Sequence, residues 1–369
     1  MIFTRIVHER WAKTVWEGLF CLAMVICLTG CQALGFYRQA IAGQYEILAH
    51  QKRMQDLLAD PKTPPELKTK FSQIIRIRQF AAAELKLPAD QAYLKYVDLH
   101  RPYVVWNVTA APPLSLDPVV WWFPVVGSAS YRGYFSEAGA RRYAARWEKK
   151  GFDVNVGGVE AYSTLGWFRD PLLNTFIQMP EADLAELIFH ELGHRRLYIN
   201  GDTDFNEAFA TEVAAEGIRR WFATAPDPKA CQEYQIRQAR EKQFVQMVMD
   251  ERKELEAVYT NARLSDAEKS RQKKESIAGL RARYAALKQS WDGYSGYDEW
   301  FSQPINNAKL NTISAYYELA PAFHALLRAQ GNDMEKFYGA VAALGKLPLA
   351  KRHAALLNYC VTQGGHARF

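Results

Sequence analysis

Cysteine is scarce in this 369-residue chain, with five in all. No CxxC pair occurs among them, which excludes a zinc site built on paired thiolates. An excess of one charge is also lacking. The 46 Lys and Arg against 40 Asp and Glu leave a net +6, which argues against a dedicated nucleic-acid binder. No apolar run reaches the roughly 20 residues that a bilayer span needs. The mean hydropathy of −0.27 rules out a polytopic membrane protein. There is no internal repeat and no low-complexity tract. What remains is 49% hydrophobic and 23% charged, a balance that supports a packed core rather than disorder. Length suggests two or three structural units. Aromatics are plentiful, with 10 Trp and 19 Tyr; many belong to a core, and some can line a cleft.

The N-terminus reads as an address. Arg5, Arg10 and Lys13 precede a short apolar run at 18–29, GLFCLAMVICLT, which fits the core of an export signal. The run closes on Leu28-Thr29-Gly30-Cys31. That tetrapeptide resembles the bacterial lipobox, which implies a signal peptide over 1–30 and lipidation of Cys31. Gln32 follows the cysteine, and by the same resemblance the product is an outer-membrane lipoprotein facing the periplasm, anchored to the membrane through Cys31. With Cys21 and Cys27 in the signal, Cys231 and Cys360 remain. They are either one disulfide or two thiols.

Helical spacing covers 36–60 and 66–87, with Ile74, Ile75, Ile77, Phe80, Ala81 and Leu85 on the apolar positions of the second. From Tyr103 the texture changes. Segments 103–109, 119–123, 129–135, 152–162 and 172–179 are aromatic or β-branched and bounded by Pro and Gly, as strands are. Ser136 caps a helix that Gly151 ends. Further helices are expected over 181–197 and 206–222. The charged stretch 229–290 reads as a long, projecting helical hairpin, and amphipathic helices return over 306–369. The expected organisation is a signal peptide (1–30), an N-terminal helical segment (31–100), a catalytic core (101–228), the hairpin (229–290) and a C-terminal helical subdomain that completes the cleft (291–369).

The chemistry concentrates in 190–207. His190-Glu191-Leu192-Gly193-His194 is an H-E-x-x-H pattern. On a helix, residues i and i+4 share a face, so two neutral imidazoles can take one zinc ion. Glu191, on the adjoining edge, suits a general base for water at that metal. With eight His and 24 Glu in the chain, the pattern arises by chance about 0.01 times. Zinc needs a third protein ligand. A third histidine in the H-x-x-G-x-x-H continuation is excluded, because Leu197 and Asn200 occupy those places. A carboxylate on the next helix is the better source. Glu207 in Phe205-Asn206-Glu207-Ala208-Phe209-Ala210 is the leading candidate, with Glu212 and Glu216 as alternatives and Asp202 and Asp204 nearby.

H-E-x-x-H followed by N-E-x-F-A resembles the gluzincin metallopeptidases, their aminopeptidase branch above all. The resemblance implies His190, His194 and Glu207 as zinc ligands, Glu191 as general base and Asn206 as a supporting residue. The chain is similar, more closely, to a bacterial family of predicted zinc-dependent aminopeptidases, many carrying lipoprotein signals. The shared stretches are Tyr131-Arg132-Gly133-Tyr134-Phe135, the Ala161 to Phe168 segment, the HELGH core and Asn306-Asn307-Ala308-Lys309-Leu310. Twelve residues separate His194 from Glu207, fewer than in the well-known gluzincin aminopeptidases. The strand whose Glu binds a substrate amine in those enzymes is matched only loosely here by Gly157 to Ala161 with Glu160. An oxyanion partner is required. Tyr316, Tyr317 and His324 are candidates, and the resemblance favours Tyr316. Arg132 or Arg169 could read a substrate carboxylate, and the Gly166 to Pro171 stretch suits a substrate-edge strand.

The fold expected is helix-rich α+β. It has a zincin-like metallopeptidase core with a small mixed sheet, flanked by helices and the long hairpin. The function expected is a Zn2+-dependent peptidase, an aminopeptidase by resemblance, acting on a peptide or protein substrate and not on nucleic acid. Two alternatives stay open. One is an endopeptidase for envelope quality control; the other is a non-catalytic, zinc-stabilised scaffold whose 229–290 hairpin binds a protein partner.

Overall fold

The computed structural model describes residues 30–90, 92–123, 127–161, 169–224 and 227–362. The signal segment and the bulk of the 161–168 stretch therefore lie outside the described residues, as does the side chain of Cys31. The chain forms two compact units, Met1–His50 and Gln51–Phe369. Among the described residues, the first contains one helix, α1 (Gly30–Ala49). Among the described residues, no helix is long and apolar enough to cross a membrane.

The helix expected over 36–60 is not continuous. After Ala49 the chain turns extended at β1 (Lys52–Arg53), then forms the short α2 (Met54–Ala59). The pairing of β1 with β2 (Lys95–Val97) is antiparallel, Lys52 opposite Tyr96, and Met54 is buried just after it. Long-range pairing overrides local helical preference there. α3 (Pro65–Glu84) starts with proline in its first turn, where the missing N–H costs nothing. It buries Phe71, Ile74, Ile77 and Ala81, a stripe at helical spacing.

Among the described residues the strands make three small sheets rather than one. β2 also pairs in parallel with β8 (Leu172–Leu173), which makes the β1-β2-β8 sheet mixed. β3 (Val105–Ala111) is the centre of an antiparallel sheet between β6 (Arg132–Tyr134) and β7 (Asp153–Val159). β4 (Trp121–Phe123) and β5 (Gly127–Ala129) form a hairpin. The strand expected over 172–179 ends after two residues because Asn174 turns the chain. Its side chain accepts from the Leu99 N–H (2.7 Å) and donates to the Arg101 carbonyl (3.1 Å). α4 (Glu137–Glu148) is capped by Ser136, whose hydroxyl accepts from the Gly139 N–H. Gly151 closes the following turn at φ +82°.

The helical part begins with α5 (Glu181–Arg196) and α6 (Thr203–Thr224). They pack closely through small residues. A Cβ on Gly217 would lie 2.5 Å from the Phe189 ring and 2.8 Å from Leu85. Then come α7 (Pro228–Thr260) and α8 (Asp266–Ser290), capped by Asp227 and Ser265. The expected helical hairpin is present, but it does not project. Val245, Val248, Leu255, Leu280 and Tyr284 join Leu116, Trp291, Phe301, Ile305 and Leu310 in one buried cluster. Lys273 on α8 reaches the Pro113 carbonyl and the Asp153 carboxylate of β7.

α9 (Asp298–Ser302), α10 (Asn307–Tyr317), α11 (Ala320–Ala329), α12 (Met334–Gly345) and α13 (Leu349–Thr362) complete the chain. The Asn306-Asn307 pair is a structural hub. Asn306 caps α10 and donates to the Val154 carbonyl. Asn307 is fully buried, donates to the Pro112, Pro113 and Ser115 carbonyls, and accepts from the Tyr259 hydroxyl. Leaving such groups unsatisfied costs about 1–3 kcal/mol each. The described residues thus form a helix-rich α+β protein with small sheets. Cys231 and Cys360 are free thiols.

Candidate metal centre

α5 carries its charges where its dipole favours them, with Glu181 and Asp183 in the first turn and Arg195 and Arg196 in the last. Leu184, Ile188, Phe189 and Leu192 are fully buried, so the helix crosses the core. Its remaining edge presents His190 and His194 one turn apart. Their Nε2 atoms are 3.1 Å apart. Glu207, in the first turns of α6, brings Oε2 to 3.3 Å from His190 Nε2 and 3.5 Å from His194 Nε2. Among the described residues these three form the one cluster of His, Cys or carboxylate donors within 4.8 Å of one another. Donors about 2.0–2.1 Å from a tetrahedral zinc ion stand about 3.3 Å apart. The triangle fits that spacing, and its donor set of two imidazoles and a carboxylate suits zinc.

The turn between the helices is built to deliver Glu207. Asn206 is buried, and its side chain clamps the Ile199 backbone at both ends. The carboxamide oxygen accepts from the Ile199 N–H at 2.8 Å, and the amide donates to the Ile199 carbonyl at 2.8 Å. Asp202 caps α6 by accepting from the Phe205 N–H, and it is held in turn by Arg352 and His353 of α13. Gly193, inside the H-E-x-x-H pattern, lets α6 come close; a Cβ there would touch the Ala210 backbone at 3.4 Å.

The electrostatics divide the two carboxyls. Burial pushes Glu207 upward, but His194 and His190 outweigh it and hold the group well below the ordinary carboxylate range. Burial also dominates at Glu191. The neighbouring Glu207 and Asp170 add to it, His190 partly offsets it, and the group rises to about 7. Glu191 is buried, and its Oε2 has no hydrogen-bond partner among the described residues. The Nδ1 of His194 is likewise unpartnered.

Tyrosines close the site. The Tyr316 ring stacks on His190 with centroids 6.0 Å apart, and 40% of the residue is exposed. Its hydroxyl sits beside Glu207, which is the main cause of its raised pKa; burial, Tyr131 and Glu191 follow. The Tyr131 hydroxyl lies in the same group. Burial raises it first, then Glu207, Tyr198 and Glu191.

The sequence profile of a family described as "Putative aminopeptidase" matches residues 35–356. The chain belongs to this aminopeptidase family. No curated protein and no solved structure matches it. In this aminopeptidase-family chain the matched span takes in every group named above, from Tyr131 to the Arg352 and His353 that hold Asp202.

The structure brings His190, Glu191, His194, Glu207 and Tyr316 together and sends the other candidates elsewhere. Glu212 pairs with His324 at 3.0 Å, and Glu216 pairs with Arg219 and Arg220 at 2.6 Å. Tyr317 donates to Glu241 on α7. Arg132 lies over the Tyr143 ring, 4.6 Å from its centroid. Arg169 is exposed, and Glu160 is exposed just past β7. The remainder of the Gly166 to Pro171 stretch lies largely outside the described residues. Tyr131 is the member that sequence reasoning missed. It stands in the shared Tyr131 to Phe135 stretch, but nothing local ties that turn to a helix 59 residues later.

Proposed function

We propose that this chain is a zinc-dependent metallopeptidase with a zincin-like core, acting as an aminopeptidase on peptides at the periplasmic face of the outer membrane. The observation that carries the reading is the donor triangle of His190, His194 and Glu207 with the buried, unpartnered Glu191 oxygen beside it. The family supports peptidase action at a coarse level; zinc, the mechanism and the location are this proposal.

His190, His194 and Glu207 would hold the metal. A bound zinc ion would polarise the scissile carbonyl and acidify water at neutral pH. Glu191 takes the proton from the attacking water and returns it to the leaving amine. Its free oxygen and raised affinity for a proton suit both halves of that transfer. Tyr316, and Tyr131 behind it, donate hydroxyl hydrogens toward the developing oxyanion. The exposed edge of Tyr316 leaves the entrance open to substrate. The scaffold alternative, in which the outer face of the hairpin binds a partner, predicts no effect of Glu191→Gln and is separated by the same test.

The test compares wild type with Glu191→Gln for metal content and for hydrolysis of peptides with free and blocked N-termini. One zinc per chain in both proteins is expected. Hydrolysis of free-amine peptides should fall by about a hundredfold or more in the variant. Equal cleavage of blocked peptides would transfer the reading to an endopeptidase. Equal activity of the two proteins would remove Glu191 from the chemistry.

A further inference from the structure

α1 carries an apolar stripe that the peptidase site does not use. Leu34, Tyr37, Ile41, Tyr45 and Leu48 recur at steps of three and four and are exposed by 74, 40, 70, 70 and 38%. They occupy one face, about 80° wide on the helical wheel and about 21 Å long at 1.5 Å per residue. The helix carries only two charged residues, Arg38 and Glu46, of opposite sign. Exposed apolar stripes of this kind mark surfaces that meet something.

We propose that this stripe lies along a lipid bilayer surface, with Leu34, Ile41 and Leu48 in the acyl boundary and the two tyrosines at headgroup level. The inference rests on 1–31 being an export and membrane-attachment segment, and it is independent of the peptidase reading. Residues 18–29, just ahead of α1 in sequence, are the apolar run. Cleavage and lipidation at Cys31 would put Leu34 three residues from the anchor, and retention of 18–29 as an anchor would put it five residues from that run. Tyrosines flanking aliphatic side chains are the composition of an interfacial helix.

A second copy of the chain is the weaker occupant. The stripe spans about two heptads, short of the three to four that a coiled-coil seam needs. The near absence of charge on α1 adds a signature: binding should not depend on anionic lipid or on salt.

The test uses the chain from Gln32, which carries no lipid, floated with phosphatidylcholine vesicles at low and high salt. The expected result is co-flotation at both salts. Leu34→Gln/Ile41→Gln should lose it by about tenfold, and Ala42→Gln, off the stripe, should keep it. Both changed residues are exposed, so folding is not at stake. As a second measurement, a fluorophore on Ile41→Cys, in a chain with Cys231 and Cys360 replaced by Ser, should be quenched by nitroxide-bearing lipid. The same fluorophore on Ala42→Cys should not. No flotation, salt-sensitive flotation, or equal quenching at 41 and 42 overturns the proposal. A dimer in sedimentation that the double variant dissolves assigns the stripe to a second copy instead.

Discussion

The α5–α6 pair and the α7–α8 pair are both helix hairpins joined by short turns, and they are packed on opposite terms. In the first, Gly217 leaves room for the Phe189 ring and Leu85 where a Cβ would not fit, and the buried residues of both helices face the core. In the second, large side chains pack each helix onto the segment around α9. Phe244 stacks on Tyr297 at 4.1 Å and Tyr284 on Phe301 at 3.9 Å, while the outer faces carry Lys, Arg and Glu. Close packing fixes donor atoms to a few tenths of an ångström, which a metal site requires. Aromatic ladders fill space and tolerate a solvated outer face. The second pair supports the core from outside, and the first holds the His190, His194 and Glu207 cluster.

The largest test of that contrast is Gly217→Leu. Its side chain has no room between Phe189 and Leu85, and overpacking there should cost about 3 kcal/mol. Because the seam positions the donors, zinc affinity should fall with it. Thermal unfolding together with metal titration would show both. An unchanged metal affinity in a folded variant would mean that the turn alone positions Glu207.

Glu186 sharpens the comparison because it sits between the pairs. On α5, one turn before His190, it accepts from the Tyr234 hydroxyl of α7 at 3.0 Å. Burial first and Glu241 second raise it to about 7, with the Tyr234 hydrogen bond partly offsetting them. The folded protein therefore keeps a proton that the unfolded chain releases above about 4.5. That contribution to stability is complete below pH 4.5 and is lost as pH rises through about 7. Glu186→Gln has no such titration. At pH 8 the variant should be more stable than wild type by about 2 kcal/mol, and at pH 5 by little or nothing. Melting curves of the two metal-free proteins across this range are the measurement.

The smallest effect is expected on the outer face of α8. Arg271 lies between Glu268 and Glu275 in full solvent. Such pairs contribute little, and Arg271→Gln should leave the melting temperature unchanged. A drop of several degrees would mean that the hairpin's surface has a structural role which its packing does not explain.

What was legible in the sequence was local. His190, Glu191 and His194 declare themselves through one helical turn, and Glu207 through the next helix; the caps at Ser136 and the break at Gly151 are equally short-range. Other features depended on distant partners. The chain turns extended after Ala49 because residues 95–96 offer a strand to pair with. The strand after Leu173 is cut off by an asparagine that reaches back to residues 99 and 101. The hairpin's docking depends on Leu116, more than a hundred residues earlier. Tyr131 feels Glu207 from a position just ahead of β6, and no spacing rule could have joined them. Asn306-Asn307 was visible as a shared stretch, but its role is to hold backbone carbonyls rather than to react.

The grip of Arg352 and His353 on Asp202 ties the donor cluster to a remote helix. Asp202 caps the helix that presents Glu207, and Arg352 lies 150 residues further along the chain, on α13. While α13 is undocked, the turn before Glu207 lacks its anchor, and the two histidines stand one turn apart without a fixed third donor. The triangle of donors is therefore a property of the finished tertiary fold, and loosening α13 should spread it before α5 itself unfolds.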